Sequence, residues 1–203
     1  MQIINLLVNA GLQVLLFAII PFVWWLIFAR EKSNFFNWLG FKKPMIQNRL
    51  KHFGLFLIIS VILVFPSLLA VTFFIDKSTM ATNQFSGQGI SAIIPALIYS
   101  FFQTGLSEEL FFRGFLTKRF VHKFGFYLGN IMQGLLFGLL HGILFASVIE
   151  PVGAVVIIFI TAIAGYLLGW INEKQSNGSI LPSWFIHGFV NTIASIIAMF
   201  NIL

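Results

Sequence analysis

Cysteine is absent from this 203-residue chain, which excludes disulfides, thiolate metal ligands and a cysteine nucleophile. Charge is scarce. Only 9% of residues are Asp, Glu, Lys or Arg, against about 25% in a soluble domain. Acidic residues are scarcest, 6 against 12 basic ones, for a net charge of +6. The amino-terminal apolar stretch lacks both the basic segment and the small-residue cleavage site of a signal peptide, so it reads as a retained span. No Gly-x-Ser-x-Gly turn is present to expose a serine nucleophile. No His-Glu-x-x-His helix is present to hold zinc.

What fills the chain is apolar bulk: 59% hydrophobic residues, with 26 Phe and 5 Trp. Mean hydropathy is +0.96. Roughly 20 apolar residues cross a bilayer core, and six stretches qualify: Ile4–Ala29, His52–Ile75, Ile90–Phe115, Phe126–Ser147, Pro151–Ile171 and Ser183–Ile202. The fold class expected is all-α, a polytopic membrane protein of about six transmembrane helices around an intramembrane polar cavity. The segment Lys118–Phe124 mixes basic and apolar residues, as an interfacial stretch does. No internal repeat or second domain is evident. The chain reads as one membrane domain over 1–203, with a motif-bearing core at about 90–203.

The basic residues fall between spans rather than on one face, which marks lipid headgroups and orientation and not nucleic acid. Arg30, Lys32, Lys42, Lys43, Arg49 and Lys51 lie in the first inter-span segment, Lys118, Arg119 and Lys123 in the third, and Lys174 in the fifth. The second holds only Lys77 and the fourth none. Odd segments are therefore expected in the cytoplasm and both termini outside. On this orientation Glu108 and His187 lie toward the cytoplasmic ends of their helices.

Three polar clusters interrupt the apolar spans: Glu108-Glu109-Leu-Phe-Phe-Arg113, Phe137-Gly-Leu-Leu-His141 and His187-Gly-Phe-Val-Asn191. Ionisable groups at bilayer depth cost roughly 2.5–3.5 kcal/mol each on insertion scales and are read as functional by default. Residues four apart share a helix face, so Glu109 and Arg113 are expected to pair, glutamate first, the better order. Glu108 is rotated off that face and left without a local counter-ion, as suits a general acid or base. Phe137 and His141 share a side with Asn130 and Gln133. His187 and Asn191 present two neutral donors one turn apart, the requirement of an oxyanion site. Glu108, His141, His187 and Asn191 are expected to converge on one cavity open to the cytoplasm. Ser107 adjoins the glutamates but is rotated off the Glu108 face.

Each cluster has a plainer reading. The charges around Glu108 could form a surface group at a helix end, and each histidine or amide could simply bond across helices. Glu108, His141 and His187 also match the His₂Glu ligand set of catalytic zinc, although that leaves Asn191 and one glutamate without a task. A metal-free site is the preferred expectation, with zinc as its rival. Outside hydrolysis stand a membrane immunity or scaffold protein that binds a bacteriocin or a partner membrane protein, and a proton-coupled transporter. The transporter would need inverted repeats that the sequence lacks.

The three clusters, in this order, resemble the motifs of the CAAX protease and bacteriocin-processing family, also called CPBP or Abi: Glu-Glu-x-x-x-Arg, Phe-x-x-x-His and His-x-x-x-Asn/Asp. All stand complete here, over about Ala92 to Phe200. The resemblance implies an all-helical intramembrane endopeptidase, in bacteria linked to bacteriocin processing or self-immunity, acting on a peptide or membrane-protein substrate in the plasma membrane. The family has been described both as metalloproteases and as glutamate proteases. Carried over by motif, Glu108 and His141 would activate water, His187 and Asn191 would hold the oxyanion, and Glu109, Arg113 and Phe137 would support the site.

Overall fold

A computed structural model describes residues 2–202. The elements are α1 (Gln2–Phe28), a short α2 (Phe35–Leu39), α3 (Arg49–Phe74), α4 (Gly89–Phe124), α5 (Phe126–Phe145), α6 (Pro151–Gln175) and α7 (Leu181–Met199). Six of them, all but α2, are long and apolar enough to cross a membrane, and no strand occurs among the described residues. The protein is an all-α polytopic membrane protein. Its outer surface carries side chains that a soluble protein would bury: Leu12, Leu16, Val61, Phe65 and Phe159 are each at least 60% exposed. In a bilayer this surface costs nothing, because lipid tails are as apolar as leucine.

Local chemistry sets the ends. Asn34 Oδ1 caps α2 through the Asn37 N–H at 2.9 Å, and Asn48 Oδ1 caps α3 through the Lys51 N–H at 2.9 Å. Pro151 opens α6 and Pro182 the first turn of α7, where a missing N–H costs no helical bond. The sequence-expected third span and the interfacial Lys118–Phe124 stretch form one continuous helix, α4. Two π-helical stretches interrupt it, Tyr99–Leu106 and Glu109–Thr117, with Ser107 and Glu108 between them. π-Turns inside helices recur at functional sites.

Helices α5 and α6 pack most closely. Gly134, Gly138 and Gly142 repeat at four-residue spacing along α5, and a Cβ on Gly138 would collide with the carbonyl of Ile158 on α6. Small residues at this spacing let membrane helices approach at backbone distance. Asn130 and Gln133, expected on the side of α5 that carries Phe137 and His141, tie the pair together. Asn130 Nδ2 donates to the Tyr166 carbonyl at 2.9 Å and Gln133 Nε2 to the Gly165 carbonyl at 2.8 Å.

The ends of the helices bearing basic segments are latched. Lys118 Nζ donates to Glu173 Oε1 at 3.0 Å and to the Gly178 carbonyl at 2.7 Å, joining α4, α6 and the α6–α7 turn. The Ile180 N–H donates to the Gly40 carbonyl at 3.0 Å, and Ser179 Oγ to the Lys42 carbonyl at 2.6 Å. Gly40 takes the left-handed conformation that ends α2 (φ 93°). Through these contacts α2 lies across this end, with Leu39 wholly buried among Leu110, Phe115 and Ile180.

Candidate active site

Glu109 is fully buried and satisfied on every side. Arg113 Nη1 lies 3.1 Å from Oε1, one turn along the same helix. His187 Nδ1 is 3.0 Å from the same oxygen, and Ser183 Oγ donates to Oε2 at 2.5 Å. Ser183 is fixed in turn by Asn172 of α6, whose Nδ2 donates to Ser183 Oγ at 2.6 Å and whose Oδ1 accepts from the Ser183 N–H at 3.2 Å. One carboxylate thus ties α4, α6 and α7 together at the centre of the bundle. The expected Glu109–Arg113 pair is present, and Glu109 also orients His187.

Arg113 is held by charge and ring faces. Its guanidinium lies 4.2 Å from the centroid of Phe137, a cation–π contact worth about 2 kcal/mol or more when desolvated. The Phe137 ring also meets His141 at 4.4 Å, Phe112 at 4.9 Å and His187 edge-on at 6.2 Å. The motif phenylalanine is the floor on which the arginine and both imidazoles rest.

Glu108 faces the other way. Its Oε2 is buried with no hydrogen-bond partner and lies 3.7 Å from His187 Nε2 and 4.0 Å from His141 Nε2. Neither distance is a direct hydrogen bond. The opposite ring nitrogens fix the tautomers. His141 Nδ1 is 2.8 Å from the Phe137 carbonyl, which can only accept, so that nitrogen carries the proton. His187 Nδ1 likewise donates to the Glu109 carboxylate. In the neutral rings both Nε2 lone pairs therefore point toward the Glu108 oxygen. Three acceptors facing one point call for a proton donor between them.

Asn191, one turn beyond His187, donates from Nδ2 to Thr104 Oγ1 at 2.9 Å. One amide N–H remains for another acceptor. His187 is a second donor from Nε2 only as imidazolium, because Glu109 takes its Nδ1 proton. With neutral rings, Asn191 alone supplies a donor of the expected pair. Ser107, rotated away as expected, donates to the Gln103 carbonyl at 2.6 Å.

His141, His187, Asn191 and Phe137 line one cavity of about 230 Å³, with Glu108 at its edge through the imidazole contacts. Its other walls are mostly apolar, from Leu63 on α3 to Ile75 just past its end, Phe145 on α5, Ile157 to Leu168 on α6, and Met80, with the hydroxyls of Ser67 and Thr161 among them. The structure brings all seven motif residues together. The lining extends from the motif residues toward Ile75, Met80 and Phe145, at the helix ends away from the basic segments. Depth is no obstacle to the meeting of His141 and His187. The end of α4 and the start of α5 run side by side, Gly129 against the backbone of Phe120 and Val121, so α5 begins far enough back for His141 to reach Glu108.

Ser183, Asn172 and Thr104 are the site residues that motif reasoning passed over. Ser183 precedes His187 by one turn and Thr104 precedes Glu108 by one turn, so helical spacing was a usable signal for both. Asn172 offered none.

Glu108, His141 and His187 are zinc ligands by type, and their imidazoles carry the outer partners that metal-bound histidines carry. By position, no three His, Cys, Asp or Glu side chains among the described residues are grouped to hold a metal ion.

A partly buried carboxylate facing two imidazoles, with an amide donor beside them in a membrane bundle, is an arrangement that suits a membrane peptidase. The comparison of family models agrees: that for type II CAAX prenyl endopeptidases, Rce1-like, matches residues 90–193. The chain belongs to this family of membrane proteases. No curated protein and no solved structure matches the chain.

Proposed function

We propose that the protein is an intramembrane endopeptidase that hydrolyses a peptide bond with water activated by Glu108 and His141. The observation that carries this reading is the unpartnered Glu108 oxygen facing two imidazole nitrogens whose tautomers are fixed from behind. A water placed there gives one proton to Glu108 Oε2 and points the other at His141 Nε2, leaving an oxygen lone pair toward the cavity. Glu108 takes the first proton as the oxygen adds to the scissile carbonyl carbon. The carbonyl oxygen, now an oxyanion, receives a hydrogen bond from the free Asn191 N–H, and a second from His187 Nε2 when that ring has taken up a proton from solvent before the water adds. The carbon–nitrogen bond then breaks, and the proton held by Glu108 passes to the leaving amine. Glu109, Arg113, Ser183 and Phe137 keep the imidazoles in register. No step is routed through a metal.

The distribution of Lys and Arg supports a plasma-membrane protein with both termini outside. The family resemblance supports a bacterial role in bacteriocin processing or self-immunity, with a peptide or membrane protein as substrate. The test is cleavage of a quenched-peptide pool by the purified protein in liposomes. Wild type is expected to cleave and Glu108→Gln to be inactive while keeping its fold. An immunity or scaffold protein needs no Glu108: protection or partner binding that survives Glu108→Gln, with no cleavage by wild type, would replace this reading.

A further inference from the structure

A second cavity, of about 340 Å³, lies at the basic end of the bundle, between the start of α3 and the end of α6. Its volume falls in the range of small-ligand sites, about 300–1,000 Å³. Lys51 and His52 reach it from the first turn of α3, Lys174 from the last turn of α6, and Gln47 and Gln175 add amides. Glu173 is the one carboxylate in the wall, and Lys118 already engages it at 3.0 Å. Lys51 has no ion-pair partner among the described residues. Lys174 Nζ rests 4.5 Å from the Phe126 ring centroid, a contact that leaves its charge unpaired. The wall therefore carries an excess of positive charge, to which the amino-terminal end of α3 adds its partial charge.

The same place is where α3 lacks a tie. Every hydrogen bond that α3 makes among the described residues stays within the helix or its cap. Each of the other five spans has at least one polar bond to a neighbouring helix. Apolar packing holds α3 through Ile59 and Leu63 against Leu168, Ile171 and Ile186, and between membrane helices such packing has no hydrophobic driving force behind it. Yet α3 forms a wall of the cavity at His141 and His187.

From this geometry we infer that the second cavity seats the phosphate of an anionic lipid headgroup, which bridges Lys51 and His52 of α3 to Lys174 of α6. Phosphate oxygens accept from both ammonium groups and from the amides, and so supply the polar tie that α3 lacks. Met45 and Leu50, beside these residues, are 67% and 81% exposed. Apolar side chains next to basic ones suit the membrane interface and favour a lipid over soluble phosphate. By the distribution of Lys and Arg this is the cytoplasmic end, where anionic lipids give the leaflet its negative potential. Occupancy of the site requires no peptidase activity.

Purified protein in a neutral detergent is titrated with short-chain phosphatidylglycerol, with the matching phosphatidylcholine and with inorganic phosphate. Bound ligand is counted by native mass spectrometry, and melting temperature is followed in parallel. One phosphatidylglycerol per chain is expected, with a raised melting temperature and much weaker binding of the other two. The double variant Lys51→Gln/Lys174→Gln should bind it about thirtyfold more weakly, the loss for two basic groups at an anionic headgroup. Arg30→Gln/Lys32→Gln removes the same charge from residues outside the cavity and should bind as wild type does. Equal weakening in both double variants would overturn the cavity as the site, and equal binding of phosphatidylcholine would overturn the anionic class. Inorganic phosphate bound as tightly as the lipid would overturn the lipid as occupant. Binding with no rise in melting temperature would overturn the tie between α3 and α6.

Discussion

Two adjacent glutamates meet opposite fates because a helix turns about 100° between them. Glu109 points into the bundle, toward Arg113, His187 and Ser183, while Glu108 points at the edge of the cavity. Their removal should differ accordingly. Glu109→Ala leaves Arg113 as an uncompensated buried charge and is expected to destabilise by roughly 3–5 kcal/mol. Glu108→Ala deletes a carboxylate with no protein donor and should leave stability equal or raised. Melting temperatures in detergent decide it, and equal losses would show that the pairing has been assigned to the wrong glutamate. A second residue-scale prediction concerns the oxyanion donor. Asn191→Ala should lower kcat by about 10²–10³, the cost of one such donor. Thr104→Val, which removes only the group that aims Asn191, should cost less. Steady-state kinetics on a cleaved peptide compares them. At this scale the sequence was most legible where partners share a helix: Glu109 with Arg113, Phe137 with His141, His187 with Asn191. Asn172 was illegible because its partner Ser183 lies on another helix, and sequence spacing says nothing of which helices adjoin.

At the scale of elements, the six spans were readable from apolar length alone, and their ends moved by only a few residues except at the third, which runs on from Phe115 to Phe124. The hydropathy pattern could not show that α4 runs unbroken through Lys118–Phe124, since the basic residues that mark an interface also suit a helix projecting from the membrane. Nor could it show α2, five residues long, whose place depends on the Gly40 and Ile180 contacts. Asn130 and Gln133 share the His141 side, but the sequence does not reveal that α6 comes close enough to take their amides. The glycine row makes that approach. Gly138→Leu should therefore force α5 from α6 and destabilise by about 1–3 kcal/mol, with His141 displaced and cleavage lost. Gly125→Ala, in an open stretch where no atom lies within 4 Å of an added Cβ, carries only the strain of its positive φ and should leave cleavage intact. Melting and activity measured on both variants test whether the α5–α6 seam places the histidine.

For the whole molecule, the end of the bundle beside the basic segments is latched and apolar-packed, and the cavity lining extends the other way. The charge pattern alone drew attention to the basic end, because both Glu108 and His187 lie nearer to it along their helices. The direction in which the cavity extends depends instead on what packs beside them, and the Ile59–Ile186 cluster is invisible until the helices are assembled. The central claim, that Glu108 and His141 activate water without a metal, is tested most directly by the rate of peptide cleavage in purified protein dialysed against a strong chelator. The account predicts undiminished cleavage by wild type and a loss of about 10²–10⁴ in Glu108→Gln. Loss of wild-type activity in chelator, restored by added zinc, would contradict it.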